Sequence, residues 1–572
     1  MLLAVKPLHR ADGKQPPADS KVHLLHADRL FFDDRLSRTA QILVGDVQFS
    51  HEGVLLFCDS ALYYEATSSF DAFGHVFMNQ GDTLKLHSDV LYYNGMDRLA
   101  RARYDVKLEH GTMTLYSDSL DYDRIYDLGY FFEGGRLLDQ GSELTSDWGE
   151  YCPTTHQAVF NYNVRMVNPA PPEQPQTTIL SDTLHYNTIT TWADVRGPSN
   201  IESGESHIYT ERGYYNTQME LSYFLERSIV SNNGKRLVGD SVVWKNDIST
   251  GEAFGDAFYT DVVNNNAITA NYCFYEDSTG YLMATDSAVA IDFSQPDTMY
   301  AHADTFKVFS YNLDTDSAFR VMHAYHHMRA WRRDIQAVCD SMIYSTRDSI
   351  LIMYRDPILW QQGQQLLGEE IQVFFNDSTI DSVQVLRQAL SVEKIDSIHY
   401  NQVSGQSMHT YFREGEVYLT TSVGNVYVNY YPFDEDSIMI ELNHTETSHL
   451  KMFLQNRKVD RIWMPAATGT MYPIPLIPPD KLYLSNFAWF DYVRPVDRYD
   501  IFTWRSKEAG MELKESVRHQ APKQKLSDVR RKLGLPEPPA EAQQTTEAAP
   551  DTLHTSDAEA PSEATEATEE SN

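Results

Sequence analysis

One phrase decides the reading of this chain: Asp59-Ser60-Ala61-Leu62-Tyr63, then Asp89-Val90-Leu91-Tyr92-Tyr93, then Asp118-Ser119-Leu120-Asp121-Tyr122. It returns at Asp182-Thr183-Leu184-His185-Tyr186, Asp240-Ser241-Val242-Val243-Trp244 and Asp340-Ser341-Met342-Ile343-Tyr344. Weaker copies begin at Asp28, Asp147, Glu211, Asn271, Asp304 and Glu370, which makes twelve registers spaced by about 31 residues. Four residues after the acid stand Phe32, Tyr63, Tyr93, Tyr122, Tyr151, Tyr186, Tyr215, Trp244, Tyr275, Val308, Tyr344 and Phe374. Eleven of these twelve are aromatic in a chain that is 12% aromatic, so the repeat is real.

Between registers a second phrase recurs: Ala72-Phe73-Gly74-His75-Val76, Ala253-Phe254-Gly255-Asp256-Ala257, and Val44-Gly45-Asp46-Val47 near the start. Around it apolar and polar residues alternate, as in Thr83-Leu84-Lys85-Leu86-His87. Period-two alternation rich in Tyr, Val, Phe and Thr, broken by Gly, Asn and Asp, is the signature of strands and tight turns. Each unit is expected to hold two or three strands. Offsets +2 and +4 from the acid lie on one strand face. That face should point inward, with offset +1 (Ser119, Ser241) outward and the acid near the mouth of the strand. The inward candidates are Tyr63, Leu91, Tyr93, Leu120, Tyr122, Leu184, Tyr186, Val242, Trp244, Phe306, Met342 and Tyr344. The expected fold is all-β: a stacked antiparallel array in which each repeat buries its apolar face on its neighbours.

Composition narrows the function. The 572 residues carry 47 Lys+Arg and 81 Asp+Glu, a formal charge of −34, which argues against a nucleic-acid binder. Hydrophobic residues at 42% are enough for a core. Four Cys in a chain of this length do not make a disulfide framework. Cys58 and Cys339 both precede a register acid nine repeats apart, too far for a bridge; all four read as packing residues. No apolar run is long enough for a membrane-spanning helix.

The register changes near 395. Met408–Val417 resembles Leu450–Val459, each reading as strand, turn, strand, and Pro473, Pro475, Pro478 and Pro479 should end the sheet. The expected organisation is a flexible N-terminus at 1–21, the repeated array at 22–394, further hairpins or a cap at 395–472, and a Pro- and aromatic-rich closing segment at 473–510. The stretch from Lys481 to Trp504 within it should fold back on the last strands. A basic helix is expected at 511–535 (Lys514, Arg518, Lys523, Lys525, Arg530, Arg531, Lys532), followed by a disordered acidic tail at 536–572 with ten acids and no Lys or Arg.

Catalytic and metal motifs are not prominent. His323, His326 and His327 cluster without a carboxylate or Cys at ligand spacing, and no P-loop, dinucleotide fingerprint, GxSxG or HExxH occurs. One acid per repeat beside apolar positions suits turn or strand-end hydrogen bonding better than a calcium ladder. No cofactor, metal or catalytic residue is expected.

The recurring Asp-x-Leu-x-Tyr phrase followed by Ala-x-Gly-x-Val resembles the OstA/LptA family of lipopolysaccharide transport proteins over residues 22 to 430. The ending from Pro478-Pro479-Asp480-Lys481-Leu482 through Phe490 to Arg494-Pro495 is similar to longer OstA-like proteins of Bacteroidetes-type bacteria. The resemblance implies a β-jellyroll, or β-taco, of V-shaped strands around an apolar groove. It further implies that acyl chains of lipopolysaccharide or lipid A ride in that groove across the periplasm, and that there is no enzymatic activity. Partners, either other lipopolysaccharide transport proteins at the two membranes or further copies stacked end to end, would join through exposed sheet edges. Members that form the outer-membrane translocon append a large barrel, for which fewer than 150 residues follow 430. The opening Met1-Leu2-Leu3-Ala4-Val5-Lys6 is too short for a signal peptide's apolar region, so a periplasmic protein would need an export signal upstream of a truncated start.

Two other readings compete with a lipid carrier bridging the inner and outer membranes. A structural or adhesive cell-surface β-solenoid would have a closed core. A β-helix enzyme acting on carbohydrate would need carboxylates clustered at one level of the stack, whereas the acids here are spread evenly.

Overall fold

The computed structural model describes residues 21–508, apart from 34–38, 82, 170–175, 233, 246–247, 314, 362, 377–378, 435, 437 and 456–457. The expected flexible start, basic helix and acidic tail lie outside the described residues. Among the described residues there are 36 strands in one antiparallel sheet, five short 3-10 turns and no α-helix. This is the stacked antiparallel array that the repeat predicts, in the β-jellyroll form that the resemblance implies. Each repeat contributes one hairpin of two strands, as in Val54–Tyr64 and Ser69–Gln80, then Leu84–Asn94 and Leu99–His110.

Every long strand is bent in the middle, and the bend explains both recurring phrases. The second phrase marks the bend itself. Gly45 and Asp46, Gly74 and His75, Tyr104 and Asp105, Gly255 and Asp256, and His326 and His327 all take left-handed backbone conformations (φ +40° to +86°). Pairing to the next strand slips at each of these points, for example between Phe73 and Val76. Two residues in succession then point outward, and both halves of the strand direct alternate side chains inward. Glycine recurs here because a side chain would collide with the acid of the neighbouring strand. A Cβ on Gly74 would lie 2.4 Å from Asp59 Oδ2, and one on Gly255 2.7 Å from Asp240 Oδ2.

The register acid therefore sits at mid-strand, against the neighbour's bend, and not near the mouth as its spacing suggested. Its backbone N–H donates to the carbonyl of the first left-handed residue, as from Asp28 to Gly45 (2.9 Å) and Asp147 to Tyr162 (3.1 Å). Its carboxylate takes further donors: Asn163 Nδ2 donates to Asp147 (2.6 Å), and His75 Nδ1 lies 2.8 Å from Asp59. His326 and His327 are bend residues too, 3.2 Å from Asp340 and 2.8 Å from Asp304. Offset +1 does not face solvent throughout, since Ser119 is fully buried at its bend.

Each strand thus has two arms. One, the aromatic arm, carries offsets +2 and +4; the opposite arm precedes the acid and points inward at −1, −3 and −5, as with Cys58, Leu56 and Val54. The expectation of a single inward face missed this second arm. One unbroken cluster of buried apolar residues fills the angle between the arms from Val22 to Phe412.

After the last strand, Thr468–Pro473, the chain returns across the outer face of the opposite arm. This strap travels well beyond the final strands, from Lys481 beside Asn429 to Phe502 beside His302, with ring centroids of the last pair 4.9 Å apart. Buried carboxamides hold it by its backbone. Gln402 donates to Leu482 O (2.9 Å) and accepts from Leu484 N (2.8 Å); Gln365 donates to Ala488 O (2.9 Å) and accepts from Phe490 N (2.8 Å). Asn429 donates to Lys481 O, and buried Arg329 to Val493 O, each at 2.9 Å. A primary amide offers a donor and an acceptor side by side, so each Gln reads the strap as a neighbouring strand would. Between these contacts Phe490 and Val493 pack on Val338, Ile358, Trp360, Leu390 and Val392.

Candidate functional site

The interior between the arms is the candidate site. Of the twelve inward candidates, Tyr63, Leu91, Tyr93, Leu120, Tyr122, Leu184, Tyr186, Val242, Trp244, Phe306 and Met342 are buried, while Tyr344 is partly exposed. They form two rows of directly paired residues. The inner row runs through Ala61, Leu91, Leu120, Leu184, Val242, Phe306 and Met342 to Met408, and these residues are buried. The outer row, nearest the mouth, alternates a ring with a small neighbour: Tyr93 pairs Ala100, Tyr186 pairs Ala193, and Trp244 pairs Gly251. The small partner leaves room for the ring, since a Cβ on Gly251 would lie 2.7 Å from the Trp244 indole.

Over the first two thirds of the array the mouth is clasped shut. The hydroxyls of the aromatic row meet polar residues from the tips of the opposite arm, usually three strands back. Tyr93 Oη lies 2.5 Å from His51 Nδ1, and Tyr151 Oη 2.7 Å from His110 Nδ1. Tyr186 donates to Asp139 (3.0 Å), Tyr215 accepts from Asn168 (3.0 Å), and Tyr275 accepts from Lys235 (2.7 Å). Arg124 adds a donor to Tyr93 (2.7 Å), and an ion pair from Arg320 to Asp261 (2.8 Å) follows. Burial pushes the Tyr151 hydroxyl up to about 12 and raises those of Tyr186 and Tyr275 further, so these phenols stay neutral. Burial also lowers His110. The enclosed space is well filled: a cavity of about 10 Å³ lies among Phe49, His51, Leu56, Phe70, Met78 and Tyr93.

The clasp then stops. Asp292 faces Tyr344 across the mouth; burial first and the Asp292 charge second raise the Tyr344 hydroxyl, yet no hydrogen bond joins them. In the outer row Val308, Met322, Tyr344 and Leu351, paired in succession, are all partly exposed, whereas Tyr275 and Leu282 just before them are buried. Farther along, Phe375 and Ile380 are partly exposed as well. Among the described residues, the partly buried apolar groups packed on the interior cluster fall at Leu24 and Ala27 or between Ala290 and Val417, with none between.

Neither the clasp nor the gap was legible as sequence. The aromatic row was found, but its partners lie 40 to 47 residues away on the other arm with no shared residue type. The one visible signal was Val308, the single non-aromatic in the +4 column, which opens the exposed stretch. Full enclosure of Leu91, Leu120 and Val242 also means that an acid placed there should unfold the array before it reports on any ligand. All four cysteines are free; burial pushes the thiols of Cys58 and Cys273 up to about 12. No group of three potential metal ligands occurs among the described residues.

A bent-strand antiparallel array around an apolar interior defines a β-jellyroll. Residues 19–171 match the family model of OstA-like protein. The matched region covers the first clasped hairpins and is shorter than the repeat itself. Among solved structures, LptH of Pseudomonas aeruginosa, described as the LptA-homologous periplasmic component of the lipopolysaccharide transport device, is similar at 11% identity. That match covers 24% of this chain and 79% of LptH with a TM-score of 0.15, too low to bear on the architecture. No curated protein matches the chain.

Proposed function

We propose that this protein is a non-enzymatic carrier of lipopolysaccharide in the periplasm, holding acyl chains in the apolar interior between its two arms. The observation that carries this reading is the continuous apolar cluster from Val22 to Phe412, uninterrupted by a charged layer. A guest of many methylenes gains roughly 0.8 kcal/mol for each CH₂ removed from water, so a long unbroken interior favours acyl chains over compact ligands. The OstA-like match at 19–171 supports the same class of cargo. The inward residues named above would be the lining, parting as the guest enters, because the side chains now fill the space.

The free sheet edges support assembly with partner transport proteins or further copies. Among the described residues, His23–His26 and Arg29–Phe31 at one end pair on one side only, and Lys458–Trp463 and Thr468–Pro473 at the other do the same. Such edges accept a strand and would continue the interior into the next molecule. The test is to incubate the purified full chain with lipopolysaccharide, separate the complex by gel filtration, and quantify acyl chains by mass spectrometry. Co-migration supports the carrier; no bound lipid at saturating lipopolysaccharide would overturn it. A structural array with a closed core is the second reading, favoured by the tight clasp from His51 and Tyr93 to Lys235 and Tyr275, and it predicts that negative outcome.

A further inference from the structure

We propose that the aromatic-arm tips from Val308 to Leu351 form a lateral opening through which the acyl chain of an anionic lipid is loaded, its headgroup resting over Lys307 and Arg347. The proposal rests on the carrier reading and adds the place of loading. Three independent observations meet here. Val308, Met322, Tyr344 and Leu351 expose apolar surface in a row whose preceding members are sealed, and Val308, Met322 and Leu351 remain packed on the interior cluster. The last cross-mouth bond is the Arg320–Asp261 ion pair at the start of this stretch, and beyond it Asp292 and Tyr344 face each other unbonded.

The third observation is charge. Residues 299–356 hold seven Lys+Arg and seven Asp+Glu, a local balance of zero within a chain of net −34. Five of those seven cations are neutralised by acids: Arg320 by Asp261, Arg329 by Asp500, Arg332 by Asp334, Arg333 by Asp297 and Arg355 by Asp340. Lys307 and Arg347 are different. Each lies over a ring, Lys307 over Tyr325 at 5.8 Å and Arg347 over Phe319 at 5.3 Å, with no acid in a salt bridge among the described residues. Lys307 precedes Val308, and Arg347 stands in the turn between Tyr344 and Leu351. Two uncompensated cations beside an exposed apolar rim match an amphiphile with a negative headgroup.

The strap makes the geometry one-sided. It clamps the outer face of the opposite arm through Gln336, Gln365 and Gln402, directly behind this stretch. Among the described residues the aromatic arm has no such brace, so it is the side that yields.

The test uses the full chain carrying a benzophenone amino acid in place of Tyr344, or in place of Tyr63 in the same row near the N-terminal edge. Each is mixed with lipopolysaccharide and irradiated at successive times, with and without Lys307→Glu and Arg347→Glu. Lateral loading predicts adducts at position 344 before position 63, slowed about tenfold by the double charge reversal at low salt. Adducts at 63 first, or a rate indifferent to the charge reversal, would overturn the lateral opening and leave the carrier standing. No adduct at either position would overturn the carrier and the opening together. If the double variant fails to fold, Arg347→Gln, in an exposed turn, reads the same charge dependence.

Discussion

The stretch from Tyr63 to Tyr275 and the stretch from Val308 to Leu351 are built on the same bent strand, the same inner row and the same two arms. They differ at the mouth. In the first, each ring of the outer row from Tyr93 to Tyr275 lies against a small neighbour and most of the hydroxyls reach a polar residue of the opposite arm. In the second the row reads Val308, Met322, Tyr344, Leu351: no small partners and one hydroxyl, which makes no bond across, so that the Arg320–Asp261 ion pair at its start is the last clasp. Polar clasps cannot be laid over a row of aliphatic tips, so the apolar surface stays part-exposed. Its stability comes from elsewhere, through the strap on the far side. One architecture thus yields a sealed section and an openable one by changing a single row.

The contrast can be broken from behind. Trp360 is fully enclosed between the opposite arm and the strap. Trp360→Ala should destabilise the section by about 3–5 kcal/mol, and the loss should appear as a separate early transition in calorimetry. A single unchanged transition would mean that the strap does not brace this section. Gln365→Leu should cost about 2–3 kcal/mol, because Ala488 O and Phe490 N would each lose a buried partner.

At the bends, Gly74→Ala combines a left-handed φ of +76° with a collision on Asp59. It should lower stability by roughly 1–3 kcal/mol in denaturant titration.

The clasp itself is sharpened by a matched pair. Tyr186→Phe removes a donor from Asp139, whose carboxylate is 1% exposed, and should cost about 1–3 kcal/mol. Tyr344→Phe removes a hydroxyl with no cross-mouth partner and should stay within about 0.5 kcal/mol. Equal losses would erase the distinction between the two sections.

The smallest expected effect is of pH. Burial lowers the pKa values of His110, His185, His302, His323, His409 and His444 below 6.5. In the window between those folded values and 6.5 the unfolded chain binds more protons, so stability rises with pH there and declines as acid is added. The thermal midpoint should fall between about pH 7 and pH 5. A midpoint that rises on acidification would contradict the neutral, buried histidines, His110 of the clasp among them.

Much of this was legible beforehand, and the limits of legibility are physical. Alternation reports which face of one strand is apolar, so the all-β array and the inward row from Tyr63 to Tyr344 could be read directly. It reports nothing about backbone handedness in the middle of a strand, so the acid's place beside the bend was misjudged and the second inward arm, with Val54, Leu56 and Cys58, was passed over. The strap was expected to fold back on the last strands. How far it reaches was invisible, because Gln365 and Gln402 grip its backbone and leave no mark on its side chains.

The sequence by itself determined the repeat, the strands and the apolar interior, since all of these are written within one hairpin. Only the tertiary structure decided where the mouth is sealed and where it is not. His51 and Tyr93, or Asp139 and Tyr186, become neighbours through the twist that brings one arm's tip over the other three strands later. That offset belongs to the stacked sheet as a whole, and no single repeat contains it.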